Sequence, residues 1–585
     1  MRFATLAETF SRLEASGRRL AALEIITRLF AAASHTELRD IVYLLQGRLR
    51  PPYEPIEFGV GEALLIRTIA RASGAAPAQV VQRFKRTGDL GLAAESLLER
   101  PRSGSRKRVL HVREAYESLY AIAVTGGAGS VEQKTRLAEA LLRRAAPLEA
   151  RYLVRIIQGR LRLGIGDATL LEAAALGALG DRSKKPLLEH AYNVRSDLGG
   201  VIALAYRSGA RALHRVTPQV GVPVRPELAQ RLASATAIVA RLGTVDAEPK
   251  YDGFRLQLHR DGARTWAFSR RLENVSAMFP DLTNALRRQL TVRKAILEGE
   301  AVVYDPENRR FQSFQVTISR KRKHDVAGAA KRLPLRLFAF DLLYAGERSY
   351  LAEPLRVRHR RLAQIVRGGR RDPLVVTEVT TTSNPAELEA YFTRMLAQGL
   401  EGIVAKRPDA PYRAGARGFD WVKLKRSYQS KLRDTIDVVL IGYLTGRGKR
   451  VALGVGSLLG AVYDPAHDRF RTVAKIGSGL TEAGWKSLRA TLDRDARPTK
   501  PARVDSLIIP DVWVEPRVVV EVLADEITRS PRHTAGRHEG EPGYALRFPR
   551  LLNIRTDKGP EDATTEAEVV RMYGMQGGST RSRTV

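Results

Sequence analysis

The apolar residues of this 585-residue chain change their spacing twice, which restricts it to a multi-domain fold. Up to about residue 215 they recur at three and four positions, as at 20–30 and 131–142, among Ala, Leu, Glu and Arg. That is helical spacing. A Pro- and Gly-bearing stretch at 217–226 then reads as a linker. Beyond it the pattern alternates: Phe254, Leu256 and Leu258 interleave with Arg255, Gln257 and His259, and Asp261-Gly262 supplies a hairpin turn. Strand-like stretches at 295–304, 335–344 and 418–424, with helices between, predict an α+β domain. From Asp434 onward short apolar strands at 438–444 and 453–463 are parted by glycine turns such as Gly446-Arg447-Gly448, as in a small β-barrel. The predicted divisions are therefore an all-α region 1–215, an α+β region 216–428, a barrel 429–573 and a disordered Gly-, Ser-, Thr- and Arg-rich tail 574–585.

The helical region repeats itself. Leu44-Leu45-Gln46-Gly47-Arg48-Leu49-Arg50 returns as Ile156-Ile157-Gln158-Gly159-Arg160-Leu161-Arg162. A Gly-x-Gly follows each copy, Gly59-Val60-Gly61 and Gly164-Ile165-Gly166, and then an apolar helix. Two related halves imply an approximate internal twofold, which suits a rod-like ligand whose backbone is itself symmetric.

Lys and Arg number 97 against 63 Asp and Glu, a net charge of +34. Such a surplus points to a polyanionic partner, because neutralising phosphates releases condensed counterions. No apolar run is long enough to span a membrane, and no lipidation motif is present. Residues 1–10 lack a signal peptide's apolar core, so a cytoplasmic location is expected. There is no cysteine, which excludes disulfides, thiolate zinc modules, Fe–S clusters and thiol catalysis. The ten histidines form no metal-binding pair at helical spacing, and His533 and His538 read as surface loop residues.

The chemistry centres on Glu248-Pro249-Lys250-Tyr251-Asp252-Gly253-Phe254-Arg255. Lys250 falls where one strand should end, and Gly253 permits a tight turn into the next, so the lysine points into a cleft. As a nucleophile it must shed its proton, which desolvation and neighbouring cations favour; Lys406, Lys423 and Lys425 are the expected neighbours. Lys423 and Lys425 share one strand face, with Val422 and Leu424 on the other. Glu298 and Glu300 also share a face, and spacing alone does not choose between them.

Further motifs follow in order: Phe268-Ser269-Arg270-Arg271 with Glu273-Asn274, Ile296-Leu297-Glu298-Gly299-Glu300-Ala301-Val302, and Phe340-Asp341-Leu342-Leu343-Tyr344. After these come Glu401-Gly402-Ile403-Val404-Ala405-Lys406, Trp421-Val422-Lys423-Leu424-Lys425, and Arg547-Phe548-Pro549-Arg550 leading to Arg555-Thr556-Asp557-Lys558. On this ordered set the chain resembles the ATP-dependent DNA ligases, specifically the archaeal and eukaryotic replicative type with an amino-terminal DNA-binding domain, over nearly its whole length. The resemblance implies that the three regions are a helical DNA-binding domain, a nucleotidyltransferase (adenylation) domain and an OB-fold barrel.

The resemblance also implies roles. Lys250 carries AMP taken from ATP, Glu248 reads the adenine edge and Phe340 stacks on the base. Arg255 and Arg270 contact ribose and phosphate, where a planar fork suits oxyanions. Arg417 and Lys423 bind nucleotide. Glu300, preferred to Glu298 only by the family match, and Glu401 lie near Mg²⁺, which favours oxygen ligands. Lys406 and Lys425 complete their motifs, and Arg550, Arg555, Asp557 and Lys558 orient the pyrophosphate. These last four can act only if the barrel closes over ATP about a hinge near residues 424–432. The run Arg320-Lys321-Arg322-Lys323 is either a phosphate grip or a charged loop.

The expected substrate is nicked duplex DNA, sealed by a monomer during replication, repair and recombination, near the nucleoid. A sliding clamp is a candidate partner, although no clamp-binding peptide is evident. The rival readings are an RNA ligase or capping enzyme, neither of which explains the helical region or the Arg547–Arg550 terminus, and a catalytically silent DNA-binding scaffold.

Overall fold

A computed structural model of the chain describes residues 1–16, 18–54, 56–98, 109–161, 163–305, 310–312, 316–317, 320, 325–369, 372–425, 435–445 and 455–576. Arg162, Lys321, Arg322, Lys323, Gly446-Arg447-Gly448, residues 453–454, most of the expected hinge and residues 577–585 of the expected tail lie outside these.

The two helical stretches read from the sequence are realised as Arg19–Ala32 and Ser130–Arg144. Inward faces of the helices share one core running from Phe3 to Leu213. The two repeat copies adopt the same backbone. Helices Leu38–Leu45 and Pro147–Ile157 end at Gln46 and Gln158, and Gly47 (φ +67°) and Gly159 (φ +66°) then turn left-handed. The amide of Arg48 returns to the Tyr43 carbonyl at 3.0 Å, and that of Arg160 to Arg155 at 2.8 Å. This wrap satisfies helix-end carbonyls and needs a residue at ease with positive φ. Each copy then reaches a glycine N-cap, Gly61 before Glu62–Ser73 and Gly166 before Asp167–Leu179. The halves also touch, since Gln46 donates to the Asp167 carboxylate at 2.7 Å.

The polar residues that alternate along Phe254–Asp261 do not face water: His259 and Gln257 are both buried. The linker covers them. Val224 exchanges backbone hydrogen bonds with the Gln257 amide (2.8 and 2.9 Å), and the Gly221 amide donates to His259 Nδ1 at 3.0 Å. Polar side chains of the strand thus satisfy backbone groups of the linker, which is packed as part of the domain.

The α+β region holds two sheets. The five-stranded one runs Leu228–Arg231, Arg417–Lys425, Gly402–Lys406, Val245–Lys250, Thr380–Thr382. Its apolar face, including Ala247, Ile403, Ala405, Val422 and Leu424, packs on helices Ala235–Leu242 and Pro385–Ala397. The seven-stranded sheet has Phe254–Asp261, Lys294–Asp305 and Leu335–Ala345 at its centre. The barrel region is an eight-stranded sheet around Thr435–Leu444, which pairs with Ser457–Asp464 on one edge and with Val512–Val514 and Val519–Leu523 on the other.

Two local expectations are corrected. Helix Glu566–Gln576 extends beyond residue 573, so residues 574–576 are helical rather than tail. His533 is buried, not a surface loop residue, and burial pushes its imidazole down to about 4. The helical and barrel regions also meet, where Thr169 Oγ1 donates to the buried Asp468 carboxylate at 3.1 Å. No helix among the described residues is long and apolar enough to cross a membrane.

Candidate active site

Strand register assembles the site. Lys250 lies opposite Gly402, which lies opposite Lys425; two residues along, on the same face, Glu248, Val404 and Lys423 form a row, and two further on Asp246, Lys406 and Trp421 form another. Directly paired residues project to the same side, so Glu248, Lys250, Lys406, Lys423 and Lys425 all leave the face opposite the apolar one. The second sheet faces them with Arg255 and Glu300, themselves a register pair. Phe340 sits in a bulge, because Ala339 pairs with Gly299 and Asp341 with Glu298, leaving it the extra residue. A bulge re-aims its side chain, here into the cleft. Buried Arg358 holds Asp341 through a fork at 2.7 and 2.9 Å, which pins the strand beside that bulge.

Between the sheets lies a cavity of about 720 Å³. It is lined by Glu248, Lys250, Arg255, Arg270, Glu300, Phe340, Glu401, Lys406, Arg417, Lys423 and Lys425, and by Arg555, Asp557 and Lys558 of the barrel region. The barrel therefore stands over the cleft. Contacts across the divide include Arg417 with Glu568 and Arg271 Nη1 with the Thr556 carbonyl at 2.8 Å.

The electrostatics differ from expectation at Lys250. Its ammonium is ion-paired with Glu401, and its neighbours are chiefly carboxylates. Burial works against its charge, but Glu401, Glu300 and Asp252 prevail and hold the amine above its ordinary value. Lys406 does not face it. That side chain is buried on Glu248 at 2.6 Å and stands 4.6 and 4.3 Å from the ring centres of Phe340 and Trp421. Lys423 is the lysine driven well below its usual range, first by burial and then by Arg231 and Lys425. Glu401 is opposed by burial, yet Lys250 and Lys425 keep its carboxylate down to about 2.

Geometry separates the two glutamates that spacing leaves equivalent. Glu298 is buried and committed: it accepts from Arg255 at 2.5 Å, Tyr412 at 2.7 Å and Gln257 at 3.3 Å. Glu300 faces the cleft, and burial pushes it up to about 7, with Glu401 adding to the effect. Two cleft carboxylates beside one amine are hard oxygen donors suited to Mg²⁺, which takes one or two carboxylates and completes its shell with phosphate and water.

Arg555 and Lys558 converge on Asp437, a residue the sequence reading missed; Arg555 also binds Asp557 at 2.7 Å. Arg550 does not join them. It is exposed on another face, 3.7 Å from Asp525 and next to the outward-facing Phe548, because it opens its strand opposite Leu523, while only the far end of that strand, Asn553 and Ile554, borders the cleft. Also missed were His359, whose Nε2 lies 3.1 Å from Glu248 and 2.8 Å from the Phe340 carbonyl, and Tyr412, which donates to the buried Glu298. Their partners are distant in sequence, so no local spacing signals them.

Comparison with known proteins agrees with this arrangement. Residues 2–175 match the model "DNA ligase N terminus", 226–425 the "ATP dependent DNA ligase domain" and 452–558 the "ATP dependent DNA ligase C terminal region". A probable DNA ligase of Dictyoglomus turgidum is 44% identical over 574 residues, covering 98% of this chain and 97% of that protein. A DNA ligase of Aeropyrum pernix is 42% identical over 595 residues, covering 98% of each, and one of Sulfurisphaera tokodaii 40% over 590, also 98% of each. With matches of that extent around a nucleotide-sized cleft, the chain belongs to the ATP-dependent DNA ligase family.

Proposed function

We propose that Lys250 is the side chain that carries AMP in this ligase, and that the residues around the cleft divide the work as follows. The family's reaction uses ATP to seal nicks in duplex DNA through a lysyl-AMP intermediate. The observation that carries the assignment is the position of Lys250, recessed between two facing sheets in a cavity that cations of both the nucleotide domain and the barrel also line.

Before attack the Lys250 ammonium must give up its proton and leave Glu401. The free amine then attacks the α-phosphorus of ATP, the bond to pyrophosphate breaks, and a lysyl phosphoramidate forms. Glu248, braced by Lys406 and His359, reads the adenine edge, and Phe340 stacks on the ring. Arg255 and Arg270 face ribose and phosphate, with Arg417, Lys423 and Lys425 along the phosphate path. Arg555 and Lys558, with Asp557 and Asp437 bracing them, meet the departing pyrophosphate. Glu300 and Glu401 are the residues that would hold Mg²⁺, whose charge would neutralise oxyanions as they develop. AMP next passes to the 5′-phosphate at a nick, and the 3′-hydroxyl displaces it. Arg550, on the outer face, is assigned no part in the first step.

We further propose that the enzyme works as a monomer, since one chain supplies the whole cleft lining, and that it acts in the cytoplasm with the nucleoid. The test is incubation with ATP labelled at the α-phosphate, then addition of nicked duplex. Wild type should acquire an acid-labile label and discharge it on DNA, and Lys250→Ala should acquire none. Label retained by Lys250→Ala would remove the lysine from its role.

A further inference from the structure

Arg231 belongs to none of the motifs, yet it occupies the joint between the two halves of the cleft. It ends strand Leu228–Arg231, in parallel register with Lys423, and so leaves the sheet on the cation-bearing face. Its guanidinium reaches across to the barrel region. Nη1 and Nη2 both lie 3.4 Å from the Thr435 carbonyl, at the first residue of strand Thr435–Leu444, and Nη1 is 3.8 Å from Met572 Sδ on the terminal helix. Two residues along the same strand, Asp437 gathers Lys558 and Arg555. Arg231 also helps hold both Asp437 and Glu568 in their charged forms. The neighbouring side chain Gln230 accepts from Arg571 of that helix at 2.8 Å, a second tie at the same place.

We propose that Arg231 is a positioning residue for the first chemical step: it docks the barrel strand that carries Asp437, and thereby sets Lys558 and Arg555 over the pyrophosphate. A planar fork is suited to this, because it spans the gap and donates in a fixed direction to a backbone carbonyl. An ammonium at the same place has a single, mobile point of attachment. The barrel contact is needed while ATP is being consumed. Sealing a nick whose 5′-phosphate already bears AMP uses neither ATP nor the pyrophosphate-facing residues, so Arg231 has no part there. The inference rests on the role given above to Lys558 and Arg555.

The experiment compares wild type, Arg231→Ala and Arg231→Lys in the full-length chain, with Lys250→Ala as control. Two rates are measured: single-turnover self-adenylation over a range of ATP concentrations, and ATP-independent sealing of a pre-adenylated nick. Arg231→Ala should slow self-adenylation by about tenfold or more at saturating ATP while sealing stays within about twofold. Arg231→Lys should recover only part of the loss. Equal loss in both assays would make Arg231 a merely structural residue, and no loss in either would remove it from the first step; both outcomes overturn the proposal. If wild type fails to label on Lys250, the underlying assignment fails instead, which the control makes distinguishable.

Discussion

Lys558 keeps its charge in surroundings that oppose it. Burial brings its amine down to about 8 despite Asp437, and Arg270 adds to the fall. A lysine is cationic below its pKa, so the help to pyrophosphate proposed for it should be full below pH 8 and lost as pH rises through that value. The pH profile of kcat/KM for self-adenylation, which reports the free enzyme, should therefore bend downward above about pH 8. Lys558→Arg, charged throughout, should abolish that bend; a bend that survives would assign it to another group. Glu227 is a second anomalous group. Its carboxyl is fully buried, Oε2 accepts the Arg413 amide at 2.8 Å, Oε1 has no hydrogen-bond partner, and burial pushes it up to about 8. Between its unfolded value and 8 the native state retains a proton that the unfolded chain releases, so stability falls as pH rises through that window. Glu227→Gln should stabilise the fold at pH 8 by a few kcal/mol, roughly, and change little near pH 4.5. Denaturant midpoints at the two pH values provide the check.

At the level of elements, the turn after Lys250 is governed by crowding rather than by an unusual backbone angle. A Cβ on Gly253 would stand 2.2 Å from the Ala301 carbonyl oxygen and 2.9 Å from Val302, on the strand that bears Glu300. Gly253→Ala should push that strand away, cost about 1–3 kcal/mol by overpacking, and slow self-adenylation. Unchanged thermal stability together with full labelling would show that the strand yields freely. Much of this level was legible in the sequence. The hairpin at Asp261-Gly262 is present with Gly262 at φ +61°, and Lys423 and Lys425 do share a face. The burial of the polar side of Phe254–Asp261 was not legible, because a linker some thirty residues earlier covers it. The bulge at Phe340 was not legible, since it depends on the register of a partner strand rather than on local composition.

For the whole molecule, among the described residues every one that lines the cavity between the sheets lies at or beyond Leu228. The helical region has its own core, and none of its described residues lines that cavity. Removing residues 1–215 should accordingly spare self-adenylation and strongly reduce nick joining, with both measured on the same preparation. Equal joining by the shortened chain would refute a DNA-gripping role for the helices. With a net charge of +34, binding to nicked duplex should weaken steeply with salt, and the truncated protein should show a shallower log–log slope.

The order of motifs, the three regions, the repeated glycine turns and the place of Lys250 at the end of a strand follow from the sequence alone, because each depends on residues close together in the chain. Tertiary structure decided the rest: that Glu298 and not Glu300 is consumed by Arg255, that Lys406 serves Glu248 rather than Lys250, and that Arg550 faces away from the cleft. Each depends on which strands lie side by side and on which charges share a buried space. Electrostatic partners are chosen by distance through the folded protein, and separation along the chain carries almost no information about that distance.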